Sequence, residues 1–354
     1  MDNVDVDKTN GTIAILTFQV PKEAGTYKVS VSCEADDVID SDLNSVTLNI
    51  ANGGIQIAEK KYCDRNRNLR NRSDMESWTR WSSYHSGKGN MKNYTYKSEM
   101  PWYKYISQIK SVVIKEGITS IGDYAFYGMT GMTKITIPKG ITSIGAYAFK
   151  TVRIRWGTTS NHIKETGESA FFGCSGLREI AIPEGFTTVW DYTFKNCTKL
   201  EKVTFPSTLV KVDEAAFYGC SSLKTLTIPD NVSIIGIYCF KNCTSLSSVQ
   251  LSANIQQIRE AVFYGTAITE LKVPDKVTSI GAYAFKNCTK LKNVTFSKNL
   301  TKIDDSAFYA CSGLTVLNLP DSLTDIKDYA FRKCTELKNV NFSAGLKTVG
   351  ESSF

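Results

Sequence analysis

One aromatic residue returns along this chain with a period that leaves few architectures open. It stands at Phe126, Phe149, Phe171, Phe194, Phe217, Phe240, Phe263, Phe285, Phe308, Phe331 and Phe354. The gaps are 23 residues, except the two ending at Phe171 and Phe285, which are 22. Self-similarity at a short fixed period marks a stack of like units. In the unit LKTLTIPDNVSIIGIYCFKNCTS, Leu223, Leu226 and Ile228 alternate inward on a short strand. Pro229 ends that strand by removing a ladder donor. Val232 and Ile235 give a second inward segment, and Phe240 with Cys243 fills the corner before the next coil. Burying about five large apolar side chains yields roughly 10 kcal/mol. Ordering the same residues costs at least about 1 kcal/mol each in backbone entropy. One coil therefore cannot stand alone, and stacking is obligatory. The expected fold is β-rich: a right-handed solenoid of about ten coils with short parallel strands, each coil advancing ~4.8 Å along a rod near ~50 Å long. Phe217, Phe240, Phe263, Phe308, Leu226, Ile228, Leu271 and Val294 should lie in its core.

The stretches MTKITIPKGITSIGAYAF and ITELKVPDKVTSIGAYAF fit the pattern LxxLxIPxxVxxIGxxAFxxC. This pattern resembles the BspA-like leucine-rich repeats, and the resemblance covers residues 103–354. It implies a secreted or surface-attached protein of a host-dwelling microbe, engaged in adhesion and ligand binding. The implied partner is a host or microbial surface protein or a glycan; the alternative is a passive spacer holding another domain off the cell wall. The preceding GKGNMKNYTYKSEMPWYKYISQIKSVVI also looks like the family's lead-in segment, with Pro101, Trp102 and Tyr103 capping the first coil. A natural array ends in a polar cap, so a chain stopping at Phe354 is expected to continue beyond it. The opening MDNVDVDKTNGT has no basic and apolar stretches of a signal peptide. Either the protein is cytoplasmic or its true start lies further upstream, and the repeats favour the second expectation.

Residues 11–57 read as period-2 strands broken by Pro, Gly and Asn turns. AILTFQV, AGTYKVSV and NGGIQI resemble the C-terminal part of a cohesin-like β-sandwich. A whole cohesin binds dockerin modules; with its other strands absent, dockerin binding is not expected, and a sheet edge should be exposed. The expected division is 1–60 for this fragment, 61–102 for a linker and lead-in, and 103–354 for the solenoid.

The net charge of +7 invites a nucleic-acid reading. Its distribution opposes one. Of ten arginines, seven fall in two short windows, Arg65, Arg67, Arg70, Arg72 and Arg80, then Arg153 and Arg155. A nucleic-acid face would spread along a groove or stripe. Both windows also break the local pattern. Read one nucleotide out of frame, residues 63–86 are compatible with GTGTCGxxxTWxLxxxGxLTISGKGNM, which looks like the strand pair preceding such arrays. Lys150-Thr151-Val152-Arg153 likewise permits Asn-Cys-Thr, the triplet that follows Lys195, Lys241 and Lys286. Compensated frameshifts over 63–86 and 151–160 are the expectation, and about +4 of the charge would then be foreign to the fold. No run of 18 apolar residues exists, so membrane insertion is not expected.

Catalytic, metal and cofactor sites find no candidates. Seven of ten cysteines (Cys174, Cys197, Cys220, Cys243, Cys288, Cys311 and Cys334) share one repeat position. They should form a column of reduced, packed thiols, since parallel side chains give poor disulfide geometry. Cys239 replaces the alanine before phenylalanine and belongs to the core. No CxxC pair exists for zinc. His85 and His162 have no third partner for a triad, and Asp304 and Asp305 read as solvated turn acids. There is no P-loop or GxGxxG cradle. The Asn-Cys-Thr triplets match a glycosylation sequon, but recur as a turn where Asn or Gly tolerates a left-handed backbone.

One surface pattern remains. The residue after each phenylalanine alternates aromatic and basic: Tyr127, Lys150, Phe172, Lys195, Tyr218, Lys241, Tyr264, Lys286, Tyr309, Arg332. The true period is two coils, and a tyrosine sits two before the phenylalanine in the basic coils, as in Tyr192, Tyr238, Tyr283 and Tyr329. Stacking should hold each lysine between two rings, within cation–π reach. The candidate binding stripe is Tyr127, Lys195, Tyr218, Lys241, Tyr264, Lys286, Tyr309 and Arg332, against a clamp between coils as the bland reading. The strand face, with Lys202, Thr204, Thr225, Thr227, Asn293 and Thr295, is a weaker competitor.

Overall fold

A computed structural model describes residues 14–22, 25–28, 46–51, 54–57, 89–100, 102–103, 106–107, 109–114, 116–154 and 162–354. The fold is a β-solenoid of about ten turns with parallel strands and almost no helix. The chain forms two compact units, residues 1–155 and 156–354.

In the first unit, β1 (Ala14–Lys22), β2 (Gly25–Lys28), β3 (Val46–Ala51) and β4 (Gly54–Ile57) precede β5 (Gly89–Asn90), β6 (Ile109–Ile114), β7 (Ile118–Ile121), β8 (Lys134–Thr136) and β9 (Ser143–Ile144). β6 and β8 pair in parallel, Ser111 opposite Lys134. The outer edge of β6 takes β1 antiparallel, from Ala14 opposite Ile114 to Thr17 opposite Ser111. Thus the described N-terminal strands form one sheet with the first coil, in the order β4-β3-β1-β6-β8, rather than two facing layers of a sandwich. The physical reason is the edge itself: an unpaired row of N–H and C=O groups on β6 recruits a strand. Trp102 is fully buried. Its indole N–H donates to Ala125 O at 2.8 Å, and its ring stacks on Phe126 at 6.1 Å and meets Tyr94 edge-on at 5.8 Å.

In the second unit, β10 (Glu165–Thr166), β11 (Glu179–Ala181), β12 (Thr188–Val189), β13 (Lys202–Thr204), β14 (Lys211–Val212), β15 (Thr225–Thr227) and β16 (Ile234–Ile235) open a series that repeats to Thr348–Val349. Each coil gives one three-residue and one two-residue strand. Most three-residue strands run exposed, buried, exposed, as in Thr225, Leu226, Thr227, because side chains alternate across a strand. Register follows the sequence period: Thr225 faces Ser248, Lys211 faces Ile234. Pro229 O then accepts from Val232 N at 3.0 Å, turning the chain into the second strand. All eight residues expected in the core are buried.

Phenylalanine forms a continuous ring stack within each unit. Neighbouring centroids lie 5.1–5.6 Å apart with planes 5–20° from parallel. Two positions per coil take a positive φ. One is two before phenylalanine (Tyr192 56°, Ala215 47°, Tyr238 57°), and the other two after it (Asn196 59°, Gly219 71°, Asn242 60°). The second is the turn expected for the Asn-Cys-Thr triplet. Most of its occupants are Gly or Asn, which tolerate that conformation best, while Thr151, Ala310 and Lys333 adopt it as well.

The cysteine column is reduced throughout the described residues, but the thiols do more than fill space. Cys220 Sγ donates to Phe194 O at 3.2 Å and Cys243 Sγ to Phe217 O at 3.2 Å, one coil back. Phe217 O also accepts from Cys220 N within its own coil at 3.1 Å. The thiol thus satisfies the second lone pair of a buried carbonyl that the chain's own turn leaves free. Burial pushes the Cys197 and Cys243 thiols up to about 12.

Candidate functional site

The stripe is assembled by the two left-handed positions. Each lysine following phenylalanine leaves the coil at the surface, half-buried. Lys241 Nζ lies 4.7 Å from the ring of Tyr264 in the next coil, 5.1 Å from Tyr238 in its own coil, and 6.0 Å from Tyr218 in the preceding one. Lys195 repeats this with Tyr218 at 4.7 Å, Tyr192 at 4.9 Å and Phe172 at 5.8 Å. Lys286 sits 4.5 Å from Tyr309 and 5.1 Å from Tyr283, Lys150 5.7 Å from Tyr127, and Arg332 5.1 Å from Tyr329. Lys195 and Lys241 are therefore held between the rings of both neighbouring coils, with the tyrosine of their own coil as a further contact. The near pair is the following coil and the tyrosine of its own coil, whose positive φ turns its ring toward the amine.

Two further contacts fix the tyrosines. Tyr192 Oη donates to Glu214 Oε1 at 2.6 Å and Tyr238 Oη to Glu260 Oε1 at 2.5 Å, each reaching into the next coil. Donation to a carboxylate, helped by partial burial, pushes the Tyr192 phenol up to about 12. At the far end, a hydrogen bond from Lys333 lowers the Tyr309 phenol below its ordinary value. The other contact explains the two-coil period. A Cβ on Gly219 would fall 2.3 Å from Asn196 Oδ1, and one on Gly265 2.9 Å from Asn242 Oδ1. An asparagine in one coil thus favours glycine in the next, though Ala310 follows Asn287 at the same position. The alternation FKNC, FYGC is visible in sequence, but its steric cause is not.

Other sequence candidates stay apart. Asp304 pairs with Lys302 at 2.7 Å, and Asp305 Oδ1 accepts from Asp328 N at 3.2 Å, so both acids serve the coil surface. His162 is exposed, while His85 and the window 63–86 lie outside the described residues. No group of His, Cys, Asp and Glu among the described residues could hold a metal ion, and no described helix is long and apolar enough to cross a membrane. Of the window 151–160, residues 151–154 are described. Thr151 takes φ 62° where most other coils have Gly or Asn, and Val152 is buried where most have Cys. The strand-face residues Lys202, Thr204, Thr225, Thr227, Asn293 and Thr295 are all exposed.

A stack of short parallel strands with alternating apolar columns defines a leucine-rich-repeat solenoid. The BspA type leucine rich repeat region matches at residues 101–224, 177–281 and 256–354, and the chain belongs to that family. The match includes no part of residues 11–57, where the resemblance to a cohesin finds no support. A leucine-rich repeat protein from Bacteroides ovatus is 22% identical, with 89% of this chain and 90% of that one covered and a TM-score of 0.59. A leucine rich cell surface protein from Faecalibacterium prausnitzii is 22% identical over 88% and 96%, with a TM-score of 0.49. A leucine-rich repeat protein from Eubacterium ventriosum is 24% identical over 87% and 92%, also at 0.49. No curated protein matches the chain.

Proposed function

We propose that this protein is a non-enzymatic binding or adhesion module, secreted or displayed at a cell surface. Its ligand, a host or microbial surface protein or glycan, lies along the tyrosine–lysine stripe. The observation behind this reading is the continuity of that stripe: rings and amines alternate coil after coil from Phe172 to Arg332. Clamping the coils and binding a ligand are compatible roles. A lysine held over ring faces keeps its three N–H donors, and the half-buried rings supply apolar surface at low entropic cost, as aromatic anchors do at interfaces. The passive spacer is the competing reading.

A glycan and host-protein binding screen separates the two, since a spacer binds nothing above background. A combined Tyr218→Ala, Lys241→Ala and Tyr264→Ala variant then locates the site. Loss of binding from a protein that still melts normally supports the stripe. Survival of binding together with a lowered melting temperature assigns the stripe to clamping alone.

A further inference from the structure

A different part of the coil carries a feature that neither the clamp nor the core uses. The residue four before each phenylalanine is glycine in many coils, and there is a steric reason. A Cβ on Gly145, Gly236, Gly281 or Gly350 would approach atoms of the preceding coil within 2.3–2.9 Å. In the coil of Phe194 that position holds Trp190, whose side chain stands in solvent at 46% exposure. One coil earlier the same position is Gly167.

On the other side the ladder register fixes the neighbours. Thr188 faces Lys211 and Val189 faces Val212, and Asp213 N donates to Val189 O at 2.8 Å. Residues two apart on a strand share a face. Thr188 and Trp190 therefore stand beside Lys211 and Asp213, and the latter two meet at 2.6 Å. Val210, 43% exposed, lies in the same coil as that pair. The result is a part-exposed indole in register with an ion pair that neutralises itself.

We propose that Trp190 is the stacking platform of a sugar subsite, with Lys211 and Asp213 as its hydrogen-bonding wall, for a neutral pyranose of a glycan. Each part of that assignment follows from the chemistry. An exposed indole gains by covering its apolar face, and a pyranose ring presents a flat face of C–H groups to do so. A sugar hydroxyl both donates and accepts, which matches a wall offering an ammonium and a carboxylate together. An anionic sugar would meet the Asp213 carboxylate without a free cation to offset it. Few polar groups around an apolar surface is the usual make-up of a small-molecule site. The subsite shares no residue with the stripe, so it stands whether or not the stripe binds a ligand.

The test titrates the full chain with soluble β-glucan, β-galactan and xylan, with polygalacturonate as the charged comparison. Binding is read by calorimetry and by tryptophan emission. At least one neutral polymer should bind and shift the emission; Trp190→Ala should weaken it at least about tenfold, and Asp213→Asn about threefold. Lys298→Ala, at an exposed position outside both the subsite and the stripe, should bind it unchanged. If none of the neutral polymers binds, if Trp190→Ala binds as well as the parent, or if only polygalacturonate responds to Trp190, the proposal is overturned.

Discussion

Replacing Phe240 by alanine tests the stacked core at its most regular point. The ring is fully buried between Phe217 at 5.5 Å and Phe263 at 5.6 Å, with planes within 10° of parallel on both sides. Removing it loses the transfer of a large aromatic from water, about 1.5–3 kcal/mol. It also loses two ring contacts of about 0.5–1.5 kcal/mol each. The coils above and below are tied by backbone bonds such as Phe240 N to Val262 O at 2.9 Å, so they cannot collapse into the gap. The total expected is about 3–5 kcal/mol, the range for a buried phenylalanine whose site does not close. Because a solenoid is held by nearest-neighbour interfaces, the loss should also broaden the transition as the two halves of the array uncouple. Urea unfolding followed by circular dichroism measures both effects. A loss below about 1 kcal/mol, with an unchanged slope, would show that the ring does not occupy the shared core, and the assigned register would be wrong.

Gly219→Ala should destabilise by about 1 kcal/mol, because its Cβ meets the movable Asn196 Oδ1 at 2.3 Å on a backbone of φ 71°, a setting Ala310 already occupies above Asn287. Adding Asn196→Gly should recover the steric part, and a double-mutant cycle in urea showing no coupling would refute the alternation argument. Thr151→Asn should raise stability by roughly 0.5–1 kcal/mol, since a β-branched residue at φ 62° is strained where asparagine is not; an unchanged or lowered midpoint counts against it. The buried thiols should make the fold alkali-sensitive. Cys197, Cys243 and Cys334 titrate at about 12 when folded, above the ordinary thiol value near ~8.5. Their contribution is complete below that lower value and is lost as pH rises toward 12, at about 1.4 kcal/mol per thiol per pH unit. Urea midpoints should therefore fall between pH 8 and pH 10, and Cys243→Ala should flatten the fall; midpoints independent of pH would contradict the buried-thiol account.

The sequence by itself determined the coil. A phenylalanine every 22 or 23 residues, an inward Leu226 and Ile228 before Pro229, and a cysteine three past the ring settle which residues share each vertical column. Strand register, the buried ring stack and the alternating surface stripe all follow from that period. Periodicity does not say which way a side chain points within its column. That was decided by the two positive-φ positions per coil, which turn Tyr238 onto Lys241 and aim Asn196 Oδ1 at the space above Gly219. The thiols show the same limit: composition marks Cys243 as small and buried, yet only the stacked backbone places Phe217 O within reach of its sulfur. The N-terminal strands show it most fully. Their alternation announced β structure, but pairing between β1 and β6 joins residues 91 to 100 positions apart, and a free sheet edge chooses its partner by geometry rather than by any local pattern.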